Sequence, residues 1–258
     1  MPSITFEINN HLAYVTLDRP EVLNCFDYST LLELEEVVQT LHTSKDARVV
    51  VFTGAGEKAF SAGADLKERK QLNEQEVRRN VKKIGDVFSQ IASLPQPTIA
   101  AVNGYAFGGG FELALACDFR IASSHAKLGL TETSWAIIPG AGGTQRLPRL
   151  IGQAKAMELV LTARKLSADK AKDYGILNEV VDKAELMSAC TRLAEEMMQN
   201  GPIALQQAKF AIRNGMNVDL QTGLQIESKA YEMTIPTKDR VEALTAFNEK
   251  RPAQFKGE

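Results

Sequence analysis

Apolar and polar positions along this chain follow two periods, and the period changes from segment to segment. Residues 4–8 and 12–17 alternate with period two and read as strands. Asn9-Asn10 between them suits the positive φ angles of a tight hairpin. Leu31, Leu34, Val38 and Leu41 then recur at helical spacing, behind Asp27 or Ser29 as a cap. Residues 49–52 are a short apolar run rich in β-branched side chains, which predicts a strand buried on both faces. A polar stretch over residues 67–83 continues as a helix toward Leu94, with Val81, Ile84, Val87, Phe88 and Ile91 on one face. Pro95 and Pro97 stop it. Residues 98–102 and 119–122 read as further strands, enclosing a loop at 104–110 and a buried helix at 111–116. A glycine-rich turn at 139–143 precedes short helices near 154–161 and 168–174. Gly175 stands where a helix C-cap belongs, and 176–181 reads as a strand. From Ala184 the pattern is helical almost to the end, broken at Gly201-Pro202 and Pro236. The reading is an α/β core over residues 1–195 with a helical region over 196–258.

Composition narrows the function classes. The formal net charge of −2 gives no whole-chain reason to expect nucleic acid as the main partner. No run approaches the roughly 18 apolar residues of a membrane span, and the N-terminus has no basic region followed by an apolar core. Cys25, Cys117 and Cys190 are scattered, which suggests neither a disulfide framework nor a zinc site and favours a cytoplasmic setting. His11, His42 and His125 are isolated, so a Ser-His-Asp or Cys-His arrangement has no local support.

Three glycine-bearing segments carry candidate chemistry. Gly54-Ala55-Gly56 fits strand then G-x-G-x-x-A, but loop-like residues follow where a dinucleotide site needs a helix start. A strand-terminating turn is the better reading. Ala59 to Lys67 and Val102 to Leu113 both place small residues after a strand, where a ligand can approach backbone N–H groups. Two such donors aimed at one point would make an oxyanion hole. On the residues alone, two close-packed turns explain the glycines equally well. Glu112 sits in an apolar run, where a carboxylate is costly unless it is paired, functional or held by a helix dipole. Glu132 precedes Trp135 and a Pro-Gly turn; it is either a second functional carboxylate or an exposed loop residue.

The whole set, in order, resembles the enoyl-CoA hydratase branch of the crotonase superfamily, close to its methylglutaconyl-CoA hydratase-like members. The matching stretches are residues 59–67, 102–118 and 132–147, joined by Leu17-Asp18-Arg19-Pro20, Leu23-Asn24 and residues 247–255. The resemblance implies a spiral of ββα repeats with a helical C-terminal trimerisation region, assembled as a homotrimer or a hexamer. It implies an acyl-CoA thioester substrate, no metal and no redox cofactor, coenzyme A entering only as part of the substrate. By motif position, Ala64 and Gly109 would supply the oxyanion hole, with Glu112 as base on water and Glu132 delivering a proton. Ala62, Ala64, Asp65, Leu66 and Lys67 would line the CoA path with Gly109 and Gly140, Lys67 lying near phosphate. Phe247 and Lys250 match positions that reach a CoA site, often from a neighbouring subunit.

Some residues depart from that pattern or leave it open. Cys25-Phe26 and Glu21 differ from the family's usual residues, and Glu21 stands where a basic side chain is common. Trp135 either shapes the acyl pocket or packs in the core, with packing favoured. The chain resembles one family member, the AU-rich-RNA-binding methylglutaconyl-CoA hydratase, especially through Ile137 to Arg149, and that relative uses a basic helix in the 67–83 region for RNA. Here Arg69, Lys70, Arg78, Arg79 and Lys82 are interspersed with Glu68, Glu74 and Glu76, and a solvated mixed-charge face is the favoured reading over RNA binding.

Overall fold

The computed structural model describes residues 2–258. Strands β1 (Ile4–Asn9) and β2 (Leu12–Leu17) form the antiparallel hairpin, closed by Asn10 and His11 at φ 49° and 67°. The turn therefore lies one residue beyond the Asn9-Asn10 pair, and a histidine takes the second left-handed position. Helix α1 (Tyr28–Thr43) is capped by Asp27, whose side chain accepts from the Thr30 N–H. Next come β3 (Val49–Gly54), β4 (Ala59–Ser61), the single turn α2 (Leu66–Arg69) and α3 (Glu74–Ala92). The following repeat is β5 (Thr98–Val102), β6 (Tyr105–Phe107) and α4 (Gly109–Ala116). Then β7 (Phe119–Ser123) and β8 (Lys127–Gly129) lead to α5 (Gly143–Ile151) and α6 (Gln153–Leu161). The core closes with β9 (Leu166–Ser167), α7 (Ala168–Asp173) and β10 (Glu179–Val181).

The pairs β3–β4, β5–β6 and β7–β8 each send the first strand to one sheet and the second to another, whereas the β1–β2 hairpin stays in the larger sheet. The six-stranded sheet has the order β1-β2-β3-β5-β7-β10 and is parallel from β2 onward; the four-stranded sheet has the order β4-β6-β8-β9. This is the ββα spiral that the resemblance implies. The strands of the smaller sheet span three residues or fewer. At that length no period can be seen, which is why residues 59–61 and 105–107 read as loop. Residues 176–178 fail to extend β10 for a different reason: the buried Arg120 guanidinium donates to the Ile176 carbonyl at 2.8 Å, and Asn178 turns its side chain to the Arg120 N–H.

The larger sheet is buried on both faces. Val50 and Phe52 belong to the main core with α1, α3 and α4, while Val49 and Val51 face Leu186, Ala189, Cys190 and Ala194. Those four residues lie on α8 (Leu186–Met198), which covers the outer face. Beyond it run α9 (Pro202–Gly215), α10 (Leu220–Glu232) and α11 (Lys238–Glu249). Lys209 of α9 is tied to the core by an ion pair to Asp118 at 2.6 Å and a bond to the Gln96 carbonyl at 2.7 Å. No helix among the described residues is long and apolar enough to cross a membrane.

Candidate active site

Two backbone N–H groups lie on one wall of a cavity of about 970 Å³. Phe26 forms an isolated parallel bridge with Ala64: its N–H donates to the Gly63 carbonyl and its carbonyl accepts from Asp65. In a ladder the middle residue turns its own N–H the other way, and Ala64 lines the cavity. Gly109 opens α4, where the N–H has no acceptor within the helix. The two segments touch, because a Cβ on Gly63 would lie 2.8 Å from the Phe107 carbonyl and 3.0 Å from the Gly109 nitrogen. Gly63 at φ 97° and Gly108 at φ 50° also need conformations that other residues rarely adopt. Gly54-Ala55-Gly56 leads into β4 rather than into a helix, so the dinucleotide-like pattern is a turn.

Glu112 and Glu132 reach the same cavity. Glu112, 3% exposed, sits in the first turn of α4. Its Oε1 accepts from the N–H groups of Ala141 and Gly143, each at 2.8 Å, at the start of α5. Burial pushes its pKa up, against the pull of those two donors and of the Arg146 charge. Glu132 opens a 3-10 turn over Glu132–Trp135 and is 9% exposed, so it is not a loop carboxylate in solvent. Its Oε1 lies over Gly108, where a Cβ would come within 3.2 Å. Its Oε2 is buried with no hydrogen-bond partner among the described residues. Burial, then the nearby Glu112, pushes its pKa up to about 7, with Arg69 opposing the rise.

The other residues expected at the site divide into two groups. Ala62, Asp65, Leu66, Lys67 and Gly140 line the same cavity. Phe247 is 81% exposed on α11, Lys250 caps that helix at φ 52°, and neither lines the cavity. Trp135 is a correction: it is 62% exposed at the cavity edge, not packed in the core. A left-handed Ala136 ends its turn, and Ile137 and Ile138 line the same edge. Cys25 also lines the cavity, and burial followed by the Asp65 charge pushes its thiol up to about 11, which keeps it protonated at neutral pH. The backbone grip of residues 141–143 on Glu112 was not foreseen; the glycines of that turn were its only signal. In the basic segment, Arg78 pairs with Glu74, Lys82 with Asp86 and Lys83 with Glu35, while Arg79 stacks on Tyr28.

Comparison with known proteins gives consistent matches over the full length. The sequence profile of the enoyl-CoA hydratase/isomerase family matches residues 7–258. YngF of Bacillus subtilis, named for the same hydratase/isomerase group, is 53% identical over 256 residues, covering 99% of this chain and 98% of YngF. The mitochondrial methylglutaconyl-CoA hydratase of Mus musculus is 47% identical over 256 residues, covering 98% of this chain and 82% of the mouse protein. The crystal structure of enoyl-CoA hydratase from Bacillus anthracis superposes with a TM-score of 0.97 at 52% identity, covering 99% of this chain and 100% of that chain. The chain belongs to the enoyl-CoA hydratase/isomerase family, in the hydratase branch of the crotonase superfamily.

Proposed function

We propose that this enzyme is a hydro-lyase that adds water across the C2–C3 double bond of a short 2-enoyl-CoA, giving the 3-hydroxyacyl-CoA. The observation that carries the reading is the convergence of two buried carboxylates and two N–H donors on one cavity. In the reaction, the N–H groups of Ala64 and Gly109 hold the thioester oxygen and stabilise the enolate-like charge that develops as water attacks C3. Glu112, its charge supported by backbone donors, takes a proton from the water. Glu132, protonated near neutrality, delivers a proton to C2. No metal or redox cofactor takes part, and coenzyme A enters as part of the substrate.

Ala62 to Lys67 form the CoA side of the path, with Lys67 beside phosphate. A short acyl group is supported by the opposite end, where α3 meets the 139–141 loop: a Cβ on Gly140 would lie 3.1 Å from Val81 Cγ1. Phe247 and Lys250 complete the CoA site of a neighbouring subunit in a homotrimer or a hexamer. The exposed apolar side chains of Met216, Leu220 and Phe247 support such an assembly. A branched substrate such as 3-methylglutaconyl-CoA is the second reading, favoured by likeness to the mouse hydratase. The test is loss of enoyl-thioester ultraviolet absorbance when purified protein meets crotonyl-CoA. Rapid loss that is abolished in Glu132→Gln supports the assignment. Absence of loss with both crotonyl-CoA and 3-methylglutaconyl-CoA overturns it.

A further inference from the structure

Leu17-Asp18-Arg19-Pro20 belongs to the family pattern but supplies no side chain to the cavity. Its loop packs instead against the segment that carries Ala64. Leu23 and Asn24 take φ 56° and 55°, which folds the chain back onto residues 55–65. Asn24 is buried, and its Nδ2 donates to the carbonyls of Ala55 at 3.0 Å and Ala59 at 2.8 Å. The Ala62 N–H donates to the Leu23 carbonyl at 3.0 Å. Phe26 then clamps both neighbours of Ala64: its N–H donates to the Gly63 carbonyl at 2.8 Å, and its carbonyl accepts from the Asp65 N–H at 2.9 Å. The Phe26 ring lies against α4, where a Cβ on Gly109 would come within 3.7 Å of its Cδ2. One residue therefore spaces the two donors, with its backbone on the Ala64 segment and its ring beside Gly109.

Arg19 holds the residues on either side of Phe26. Its Nη1 donates to the Cys25 carbonyl at 2.8 Å and pairs with Asp27 Oδ2 at 2.9 Å. Its Nη2 faces Asp65 Oδ2 at 3.6 Å. Each aspartate caps a helix with its other oxygen. Asp27 Oδ1 accepts from the Thr30 N–H at 2.8 Å, and Asp65 Oδ1 from the N–H groups of Lys67 and Glu68 at 2.9 and 3.3 Å. One guanidinium thus joins the starts of α1 and α2 to the backbone beside Phe26. Its donors are fixed in one plane, so the groups they hold are fixed relative to one another. An N–H aimed at a developing oxyanion works only at the right distance, and a displacement of about 1 Å can cost about 10²-fold in rate. The geometry points to Arg19 as a positioning residue of the oxyanion hole, which sets the Ala64 N–H against the Gly109 N–H through Phe26 and Asp65. This inference rests on the hydratase reading, in which those two N–H groups hold the thioester oxygen, and adds the residue that aligns them.

The test uses a probe that reports the hole directly. In 2,4-hexadienoyl-CoA the thioester carbonyl is conjugated with two double bonds, and hydrogen bonds to its oxygen move the absorbance to longer wavelength. Wild type, Arg19→Met and Arg19→Lys are compared by that shift at saturation, by affinity for free CoA, which has no thioester carbonyl, and by kcat for crotonyl-CoA. Arg19→Met is expected to lose most of the shift and roughly 10- to 100-fold in kcat, while CoA affinity stays within a few fold. Arg19→Lys keeps a charge between the two carboxylates without the planar fork, and recovers part of both losses. A merely structural role lowers the amount of folded protein but leaves the shift per bound probe at its wild-type size; that result in folded Arg19→Met overturns the proposal. Unchanged kcat overturns it too, as does a loss of CoA affinity as large as the loss of kcat, which would assign Arg19 to the CoA path. If Arg19→Met does not fold, Arg19→Lys decides: a reduced shift upholds the role and a wild-type shift removes it. The two readings fail separately. A shift that depends on Arg19 upholds this inference even if crotonyl-CoA is not hydrated. Hydration of crotonyl-CoA with a shift that does not depend on Arg19 leaves the hydratase reading standing and this inference fallen.

Discussion

At the junction of α4 and α5, Glu112 gives one carboxylate oxygen two backbone N–H donors and lies in the first turn of a helix. Across the cavity, Glu132 rests on a 3-10 turn over glycine, with Oε2 buried and unpartnered. Glu112 is the more deeply buried of the two, so desolvation alone would penalise its charge more than that of Glu132. The local backbone opposes this. Helix starts at both ends of Glu112 favour its anion, whereas Glu132 has the charge of Glu112 nearby and little to offset it. Burial raises both carboxyl groups, but at Glu112 the backbone donors of Ala141 and Gly143 oppose the rise and stabilise its anion, which is the asymmetry an acid–base pair uses.

The largest expected effect tests the chemical half of this comparison. Glu132→Gln keeps the shape and removes the proton to be delivered; Glu112→Gln removes the base. Each is expected to lower kcat for crotonyl-CoA by about 10²- to 10⁴-fold, while butyryl-CoA affinity stays within a few fold. Turnover close to wild type in either variant would sink the corresponding role.

A second prediction concerns stability against pH. The folded-state pKa of Glu132 lies at about 7, above its ordinary value of 4.5. The folded protein therefore binds more protons than the unfolded chain between those values, and stability falls as pH rises through that window. Above pH 7 the cost is on the order of 2–3 kcal/mol, allowing for water on the open side of the cavity. Glu132→Gln removes the ionisation, so urea denaturation should show the variant more stable than wild type at pH 8 and equal to it near pH 4. The same difference at both pH values would mean that Glu132 is not the group titrating.

The third probes the backbone grip. Glu112→Ala leaves the N–H groups of Ala141 and Gly143 without their acceptor, whereas Glu112→Gln keeps a carbonyl oxygen there. Both remove the charge, so their difference reports the hydrogen bonds together with the buried side-chain volume that alanine lacks. The alanine variant should be less stable by about 1–3 kcal/mol. Equal stability would show that the 141–143 turn holds its shape without Glu112.

How far the sequence foretold this site depends on the range of the interactions involved. Glu112 stood out as a carboxylate in an apolar run, and residues 59–67 and 102–113 as small residues after strands; Ala64, Gly109 and the role of Glu132 came from the resemblance. The long strands were legible for the same reason: Val49 to Phe52 is apolar on both faces because α8 covers one and the main core the other. What escaped was set by distant partners. Strands β4, β6 and β8 are too short to show a period and exist through pairing with each other. Trp135 could be pocket or core on the sequence, with core favoured, and only the placement of its 3-10 turn shows it 62% exposed at the cavity edge.

The smallest effect tests whether the grip on Glu112 is itself braced. Arg146 Nη1 donates to the Ala141 carbonyl at 2.7 Å, on the opposite side of the peptide segment whose N–H groups hold Glu112. Arg146→Met keeps much of the side-chain bulk and removes that donor. The expected cost is about 1 kcal/mol in urea denaturation, with a severalfold loss of kcat because the turn that fixes the base is loosened rather than lost. A cycle with Glu112→Ala decides whether the two contacts act through one element. If the 141–143 turn is braced from both sides, each contact depends on the other keeping it in place. Arg146→Met should then cost measurably less in the Glu112→Ala background than in the wild type. Additive costs would mean that Arg146 supports α5 independently of the grip on Glu112.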